Sequence, residues 1–244
     1  MRNRILAFGI HVALSAFLAA SAMAVVYLIW YPSPLAEAVG VGKIFLLLIA
    51  IDVVIGPLLT FIVFRPNKKS LKLDLACILV LQMGAFSYGF HAIAISRPAW
   101  IVFSVDRFDV GQANELEGRF LKIASPEFRS IPWGGPRWVA SLIPSDREKR
   151  NQLILESTTG GADLAQRPDL YVPMEQVTPE VIMKSRPLSE LLQLNDSEAY
   201  AVALEKWPEA NAWLPLVAKN KAMAVLMKKE LGTPLAIVNL KPWR

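Results

Sequence analysis

Three long runs of apolar residues occupy the first hundred positions of the chain. No residue between Arg4 and Glu37, or between Asp74 and Arg97, is Asp, Glu, Lys or Arg. Between Lys43 and Arg65 the only charged residue is Asp52. Each run exceeds the roughly 20 residues that an α-helix needs to cross a hydrocarbon core of about 30 Å. The pattern therefore predicts three membrane-spanning helices, at about residues 5–30, 43–64 and 74–95.

The first run also has features of a cleavable signal peptide. Arg2 and Arg4 precede it, and residues 20–24 (ASAMA) are small residues of the kind found at cleavage sites. The apolar run nevertheless continues to Ile29 with no polar segment before that position, and the pair Trp30-Tyr31 is typical of a membrane interface. We therefore predict an uncleaved helix.

After Arg97-Pro98 the sequence changes to the mixture of polar and apolar residues that is typical of a globular domain. The last three β-like stretches are separated by short turns, which predicts an antiparallel meander. We expect a membrane protein in which residues 1–98 form three transmembrane α-helices and residues 99–244 form an extracytoplasmic α+β domain with an antiparallel sheet. The expected strands are 100–105, 116–123, 138–143, 213–217, 222–228 and 235–240, and the expected helices are 178–194, interrupted at Pro187, and 196–207.

The charged residues are distributed asymmetrically along the chain. Apolar residues make up 54 % of it, charged residues 19 %, and the formal net charge is +5. Residues 1–98 carry the whole positive excess, so the C-terminal domain offers no basic face to a nucleic acid. Basic residues surround the N-terminus and the loop at 65–73 but are absent from the loop at 31–42. The positive-inside rule then predicts a cytoplasmic N-terminus and a C-terminal domain outside the cytoplasm.

Cysteine and histidine are too scarce for several common kinds of site. The chain has one cysteine, Cys77, and two histidines, His11 and His91, all within the apolar runs. An internal disulfide needs two cysteines, and residues 99–244 have neither residue for a zinc site or a Ser-His-Asp triad. The sequence thus predicts no catalytic residues, no metal and no cofactor.

Asp52 is the first candidate for a functional residue. A carboxylate near the middle of a membrane helix costs several kcal/mol unless it is neutral or paired. Gly56 and Pro57 follow one turn later, and the proline leaves a carbonyl without its helical donor, so we expect a kinked, polar stretch there. This stretch either binds a partner or stabilises the helix bundle through a hydrogen bond from Asp52 to Ser15 or Gln82. A proton path is disfavoured because the apolar runs contain no second acid.

Further candidate partner-binding residues lie in the third apolar run and in the C-terminal domain. Ala85 and Gly89 have the spacing that allows a neighbouring helix to approach closely, although packing within the three-helix bundle is the favoured explanation. The C-terminal candidates are a charged pair, which forms either an exposed contact or a local salt bridge, and two tryptophans beside prolines, which either anchor a partner or cover the edge of a core. They are Asp106, Arg107, Trp133 and Trp243.

Four blocks of the sequence carry a family resemblance: IDVVIGPLLT at 51–60, FRPNKKSL at 64–71, VFSVDRF at 102–108 and LKPW at 240–243. In these blocks the chain resembles the type IV pilin accessory proteins of Gram-negative bacteria, the TfpX/TfpZ-like family. The resemblance implies a protein of the bacterial inner membrane with a periplasmic domain. It also implies that the protein is a chaperone or assembly factor and not an enzyme. Such a protein would stabilise the major type IV pilin and contact other pilus assembly proteins.

Two other classes of function remain open from the residues alone. The C-terminal domain could bind a ligand as the sensor or regulatory subunit of a membrane complex, but the expected cytoplasmic segments are too short for an output module. A small transporter or enzyme would need further polar groups at the depth of Asp52 or a cluster of titratable groups in the C-terminal domain.

Overall fold

The computed structural model describes residues 1–243 and divides the chain into two compact units. The helical unit consists of residues 1–30 and 41–95. The α+β unit consists of residues 31–40 and 96–244, so it includes the segment that connects the first two apolar helices. The chain therefore passes between the two units three times.

Three apolar helices form the helical unit, and each is long enough to cross a membrane. The first and second contain six-residue π-helical segments, Val25–Trp30 and Ala50–Ile55. A π-helical turn inside an α-helix is rare and widens the backbone locally. The prediction of three membrane helices is confirmed, and the chain is a membrane-anchored protein. The helices are Arg2–Trp30, Gly42–Val63 and Leu71–Ile95.

Polar contacts join the first and second helices near the N-terminus of the chain. His11 Nδ1 lies 2.7 Å from the hydroxyl of Thr60. Arg4 donates to the carbonyl oxygens of Phe61 and Ile62, and its guanidinium lies 4.3 Å from the centre of the Phe61 ring. These carbonyls belong to the last turn of the second helix, where the helix dipole favours a positive charge.

An eight-stranded mixed sheet forms the centre of the α+β unit. Seven strands follow the order β4-β3-β1-β2-β6-β7-β8, and the short β5 pairs with β6. Two pairs, β1 with β3 and β2 with β6, are parallel, and the others are antiparallel. The strands are β1 (Pro98–Ser104), β2 (Arg107–Gln112), β3 (Arg137–Ser141), β4 (Tyr171–Val172), β5 (Arg186–Pro187), β6 (Ala212–Val217), β7 (Met223–Lys228) and β8 (Thr233–Val238).

Both faces of this sheet are buried. Successive residues of β1, such as Ile101 and Val102, lie in different apolar clusters, because successive strand residues point to opposite faces of the sheet. One face is covered by the segment 31–40 and by the helix Thr178–Lys184. The other is covered at its two ends by the helix Gly118–Ile123 and the turn Pro126–Phe128, and by the helices Leu188–Leu194 and Ser197–Glu205.

The predicted fold class, three membrane helices followed by an α+β domain, is confirmed. The expected strands near 100–105 and 138–143, the three-stranded meander β6-β7-β8 and the helices around Pro187 are all present. The sheet as a whole is mixed, where the sequence predicts an antiparallel one. The predicted strand at 116–123 is wrong, because Gly118–Ile123 form an α-helix, from which Phe120 is buried. Strand β2 and the helix Arg147–Thr158 were not predicted.

The segment 31–40 is an integral part of the α+β unit. Leu35 and Ala38 are buried in the same apolar cluster as Phe103 and Leu214. The backbone carbonyl of Ala38 accepts hydrogen bonds from the backbone N–H groups of Asn220 and Lys221, which connect β6 to β7. The connection between two apolar helices thus supplies side chains to the core of the α+β unit.

Tyr31, at the start of this segment, is fully buried, and its hydroxyl lies 3.2 Å from the hydroxyl of Ser96. Burial raises the pKa of Tyr31 to about 12, although the Ser96 hydrogen bond and the Arg97 charge oppose the shift. The unfolded chain therefore loses the tyrosine proton at lower pH than the native chain, so stability falls as the pH rises from 10 towards 12.

We expect the α+β unit to lose about 1 kcal/mol of unfolding free energy between pH 10 and pH 11 through Tyr31. The measurement is denaturant unfolding of the full chain in detergent at both pH values, compared with the Tyr31→Phe variant. The phenylalanine variant should show a smaller loss by about that amount. An equal loss in both proteins would contradict the assignment to Tyr31.

Candidate partner-binding sites

A buried polar cluster lies where the second and third apolar helices meet. Asp52 lies in the π-helical segment and is only 4 % exposed. The side-chain amide of Gln82, on the third helix, donates to the backbone carbonyl of Asp52 at 3.2 Å. Within residues 1–243, neither Oδ2 of Asp52 nor Oε1 of Gln82 has a hydrogen-bond partner. The cluster therefore contains two unsatisfied acceptor positions in apolar surroundings, where such groups are costly.

The structure only partly supports the expected hydrogen bond from Asp52 to Ser15 or Gln82. Gln82 does contact Asp52, but it does so through the backbone carbonyl and not through the carboxyl group. Ser15 is buried in the first helix.

Gly56 and Pro57 are both buried beside this cluster. A Cβ atom on Gly56 would lie 1.7 Å from Nε2 of Gln82, so only glycine leaves room for the amide. Pro57 does not break the second helix, which continues to Val63. The proline is the second residue of an α-helical segment that directly follows the π-helical one. The expected kinked stretch is therefore a continuous helix with a π-helical segment.

Ala85 and Gly89 differ in their surroundings. Gly89 lies against the second helix, because a Cβ atom on it would be 3.0 Å from Cδ1 of Leu48. Ala85 is exposed on the surface of the helical unit. Of the two, Ala85 is the residue that another membrane helix could touch.

Asp106 and Arg107 lie at the hairpin between β1 and β2. Ser104 pairs with Arg107, so Val105 and Asp106 form the turn, and Val105 has the unusual φ of 60°. Arg107 forms its ion pair with Asp109, at 3.1 Å, and not with Asp106. The hydroxyl of Ser104 also donates to the Asp109 carboxyl. Burial raises the pKa of Asp109, while the hydrogen bond from Ser104 and the positive charge of Arg107 oppose the shift.

The two candidate tryptophans both have exposed indoles. Trp133 is 62 % exposed, and its ring lies over the buried guanidinium of Arg97 at 3.8 Å, a cation–π contact. Arg97 also donates to the carbonyl of Pro132, at 2.9 and 3.1 Å. Trp243 follows Lys241, whose backbone N–H and carbonyl both bond to the side chain of Asn195. Both tryptophans are thus presented by anchored segments, as a binding side chain requires.

A polar cluster around Glu37 was missed from the sequence. Oε1 of Glu37 lies 2.6 Å from Nζ of Lys221, and Oε2 accepts from the Asn239 amide at 2.8 Å. The side chain of Asn220 donates to the backbone carbonyl of Glu37 at 3.0 Å. Glu37 is 183 to 202 residues from these partners in the sequence, so no local pattern could have paired them. The cluster holds the segment 31–40 against the α+β unit.

Similarity to known proteins shows the family of the chain. Residues 1–40 match the model of a family described as fimbrial assembly protein FimB. A fimbrial assembly protein of serogroup I from Dichelobacter nodosus is 34 % identical over 239 residues, which cover 94 % of this chain and 92 % of that protein. The chain belongs to the fimbrial assembly protein family.

Two further family members from Dichelobacter nodosus are similar. The serogroup E1 protein is 32 % identical over 239 residues, with the same coverage of both chains. The protein of serogroups C1 and C2 is 41 % identical over 100 residues, which cover 40 % of this chain and 76 % of that protein. No solved structure matches the chain at a significant level. Membership of this family supports a role in fimbrial or pilus biogenesis.

Proposed function

We propose that this membrane-anchored protein is a type IV pilin accessory protein, similar to the TfpX/TfpZ-like family, that binds and stabilises the major pilin. It acts as a chaperone or assembly factor and not as an enzyme. The observation that carries the proposal is the similarity, over nearly the whole length of both chains, to proteins named for fimbrial assembly. The names describe assembly and not a reaction.

The helical unit provides the part of the proposed site that lies in the membrane. A pilin that waits in the bilayer on one hydrophobic helix needs a protein surface that competes with lipid for that helix. Small residues and interhelical hydrogen bonds supply such contacts. Ala85 is exposed for close approach, and the Asp52–Gln82 cluster lies about one turn away with unsatisfied acceptors. In this proposal Asp52, Gly56 and Pro57 set the shape of that surface.

The proposed orientation places the N-terminus in the cytoplasm and the α+β unit in the periplasm, with the helices in the bacterial inner membrane. The basic residues at the N-terminus and in the loop 65–73 support this arrangement through the positive-inside rule. The α+β unit would then lie on the side of the membrane where a pilin head domain is held. Asp106, Arg107, Trp133 and Trp243 are its candidate contact residues.

The test is purification of the intact chain in detergent together with the co-expressed major pilin. We expect the pilin to co-purify, and we expect Asp52→Leu to reduce the amount by about tenfold or more, equivalent to about 1.4 kcal/mol of binding free energy. Two variants serve as controls. Val54→Leu changes an exposed residue of the same segment and should bind normally, and Asp52→Asn keeps a polar side chain of the same size and should bind better than Asp52→Leu.

Two outcomes would contradict the proposal in different ways. If the intact chain retains no pilin, the pilin-binding function is wrong, and a sensor or regulatory subunit becomes the better hypothesis. If Asp52→Leu binds pilin as well as the intact chain does, the function stands but the polar cluster is only a structural contact within the bundle. Circular dichroism of each variant shows whether its helices are intact.

A further inference from the structure

The α+β unit contains an open groove of about 400 Å³ that none of the candidate residues lines. Its walls come from the start of β3, the start of β8, the turn Pro126–Phe128 and the segment that precedes the helix Thr178–Lys184. The volume is within the range of sites that hold one or two amino-acid side chains or a small molecule.

The groove combines an apolar floor with a charged rim. Buried Trp100, Phe128 and Val139 contribute to the lining, and Met174 supplies a flexible apolar side chain. The exposed charged residues on the rim are Glu127, Arg137 and Glu175. An apolar centre surrounded by polar residues is the usual organisation of a protein–protein contact site.

The three charged side chains on the rim are available to bind a partner. Within residues 1–243, Glu127, Arg137 and Glu175 form no ion pair and no side-chain hydrogen bond. Two carboxylates against one guanidinium give the rim a net negative charge. Charge complementarity therefore favours a basic residue in the partner, while Arg137 can bind a backbone carbonyl.

One wall of the groove is fixed by a tight backbone contact. Gly232 has a φ of 61°, a left-handed conformation that glycine adopts without strain. A Cβ atom on Gly232 would lie 3.0 Å from Cγ2 of Thr178, across the wall. The loop before β8 is thereby held against the helix Thr178–Lys184, so the groove exists before any partner binds.

We propose that this groove receives an apolar side chain, flanked by a basic residue, from the extracytoplasmic part of the major pilin. The inference rests on the proposed function, since it names the place on the α+β unit where the pilin is held. The apolar side chain would be the anchor of the contact, because anchors that enter desolvated pockets carry most of the binding energy at protein interfaces. The basic neighbour would pair with Glu127 and Glu175.

Site-specific photocrosslinking in cells tests the position of the groove. A photoreactive phenylalanine replaces Leu231, which lines the groove and is 58 % exposed, in the full-length chain expressed with the major pilin. The matched control replaces Val202, which is 54 % exposed on the helix Ser197–Glu205, away from the groove. We expect a pilin crosslink from position 231 and none from position 202.

Charge reversal tests the recognition of a basic residue. The double variant Glu127→Lys/Glu175→Lys should reduce the crosslink from position 231 by about tenfold. The control Glu205→Lys/Glu209→Lys makes the same change in net charge on exposed residues elsewhere in the unit and should leave the crosslink unchanged. Equal crosslinking in both double variants would overturn the charge assignment.

The remaining outcomes separate the groove from the function itself. Pilin that co-purifies with the intact chain but crosslinks only from position 202 would overturn the groove and leave pilin binding intact. If the chain neither co-purifies with pilin nor crosslinks to it from either position, the proposed function fails as well. A crosslink from position 231 to a protein other than the pilin would also overturn the proposal.

Discussion

Replacing Leu35 by Asp is expected to unfold much of the α+β unit, although Leu35 lies between two membrane helices in the sequence. Leu35 is almost completely buried in the core of that unit, beside residues of β1, β2 and β6. Truncation of a buried leucine to alanine alone costs about 2–5 kcal/mol. An unpaired carboxylate in the same place costs more, and a domain is stabilised by only about 5–15 kcal/mol in total.

The measurement is denaturant unfolding of the full chain in detergent, followed by tryptophan fluorescence, together with limited proteolysis. Leu142→Asp is the matched control, since Leu142 is an exposed leucine of the same unit and the change should cost within about 0.5 kcal/mol. Leu35→Asp should lower the unfolding midpoint sharply and expose the α+β unit to protease. Equal midpoints for the two variants would show that the segment 31–40 does not belong to this core.

The contribution of residues 31–40 to the core of the α+β unit could not be predicted from the sequence, whereas the membrane helices could. The apolar helices were predictable because a span of the membrane needs only length and the absence of charge, and both are local properties. The place of Leu35 was not, because a short connection between two helices carries no sign of the core that it enters. Its core neighbour Leu214 is far along the chain, and only the folded sheet brings the two into one cluster.

In the sheet, too, some strand pairs could be predicted from the local sequence and others could not. The meander β6-β7-β8 was predicted because short turns impose antiparallel neighbours. The parallel pairs of β1 with β3 and β2 with β6 join strands that are separated by helices and loops, so nothing in a single strand specifies its partner. Strand β2 was missed because Arg107 and Asp109 make it polar, although the two side chains pair with each other.

The candidate membrane site was predictable in its location but not in its contacts. The sequence named Ser15 or Gln82 as the expected hydrogen-bond partner of Asp52, and Gln82 does contact Asp52, through its backbone carbonyl. The sequence could not show that the Gln82 amide bonds the Asp52 backbone, because this contact depends on the local π-helical path of the backbone. Nor could it show that Gly56 leaves the space that the amide occupies.

Gly56→Leu is expected to destabilise the helical unit by about 2–5 kcal/mol, through overpacking and through the loss of the hydrogen bond from Gln82. Even a Cβ atom at this position would lie 1.7 Å from Nε2 of Gln82, so the amide must leave its site. Gly84→Leu is the matched control, because no atom lies within 4 Å of a Cβ atom at Gly84. Leucine there should be neutral or slightly stabilising, since it favours a helix more than glycine does.

Thermal unfolding of the purified full chain in detergent, followed by circular dichroism, measures both effects. The double variant Gly56→Leu/Gln82→Ala supplies the decisive comparison. It removes the three side-chain atoms nearest to the new Cβ and lets leucine fill the space that the glutamine vacates. If the clash with Gln82 is the cause, the double variant should recover most of the lost stability, giving a coupling energy of about 1–3 kcal/mol. Additive losses from Gly56→Leu and Gln82→Ala would instead place the cost of Gly56→Leu in some other contact of the bundle.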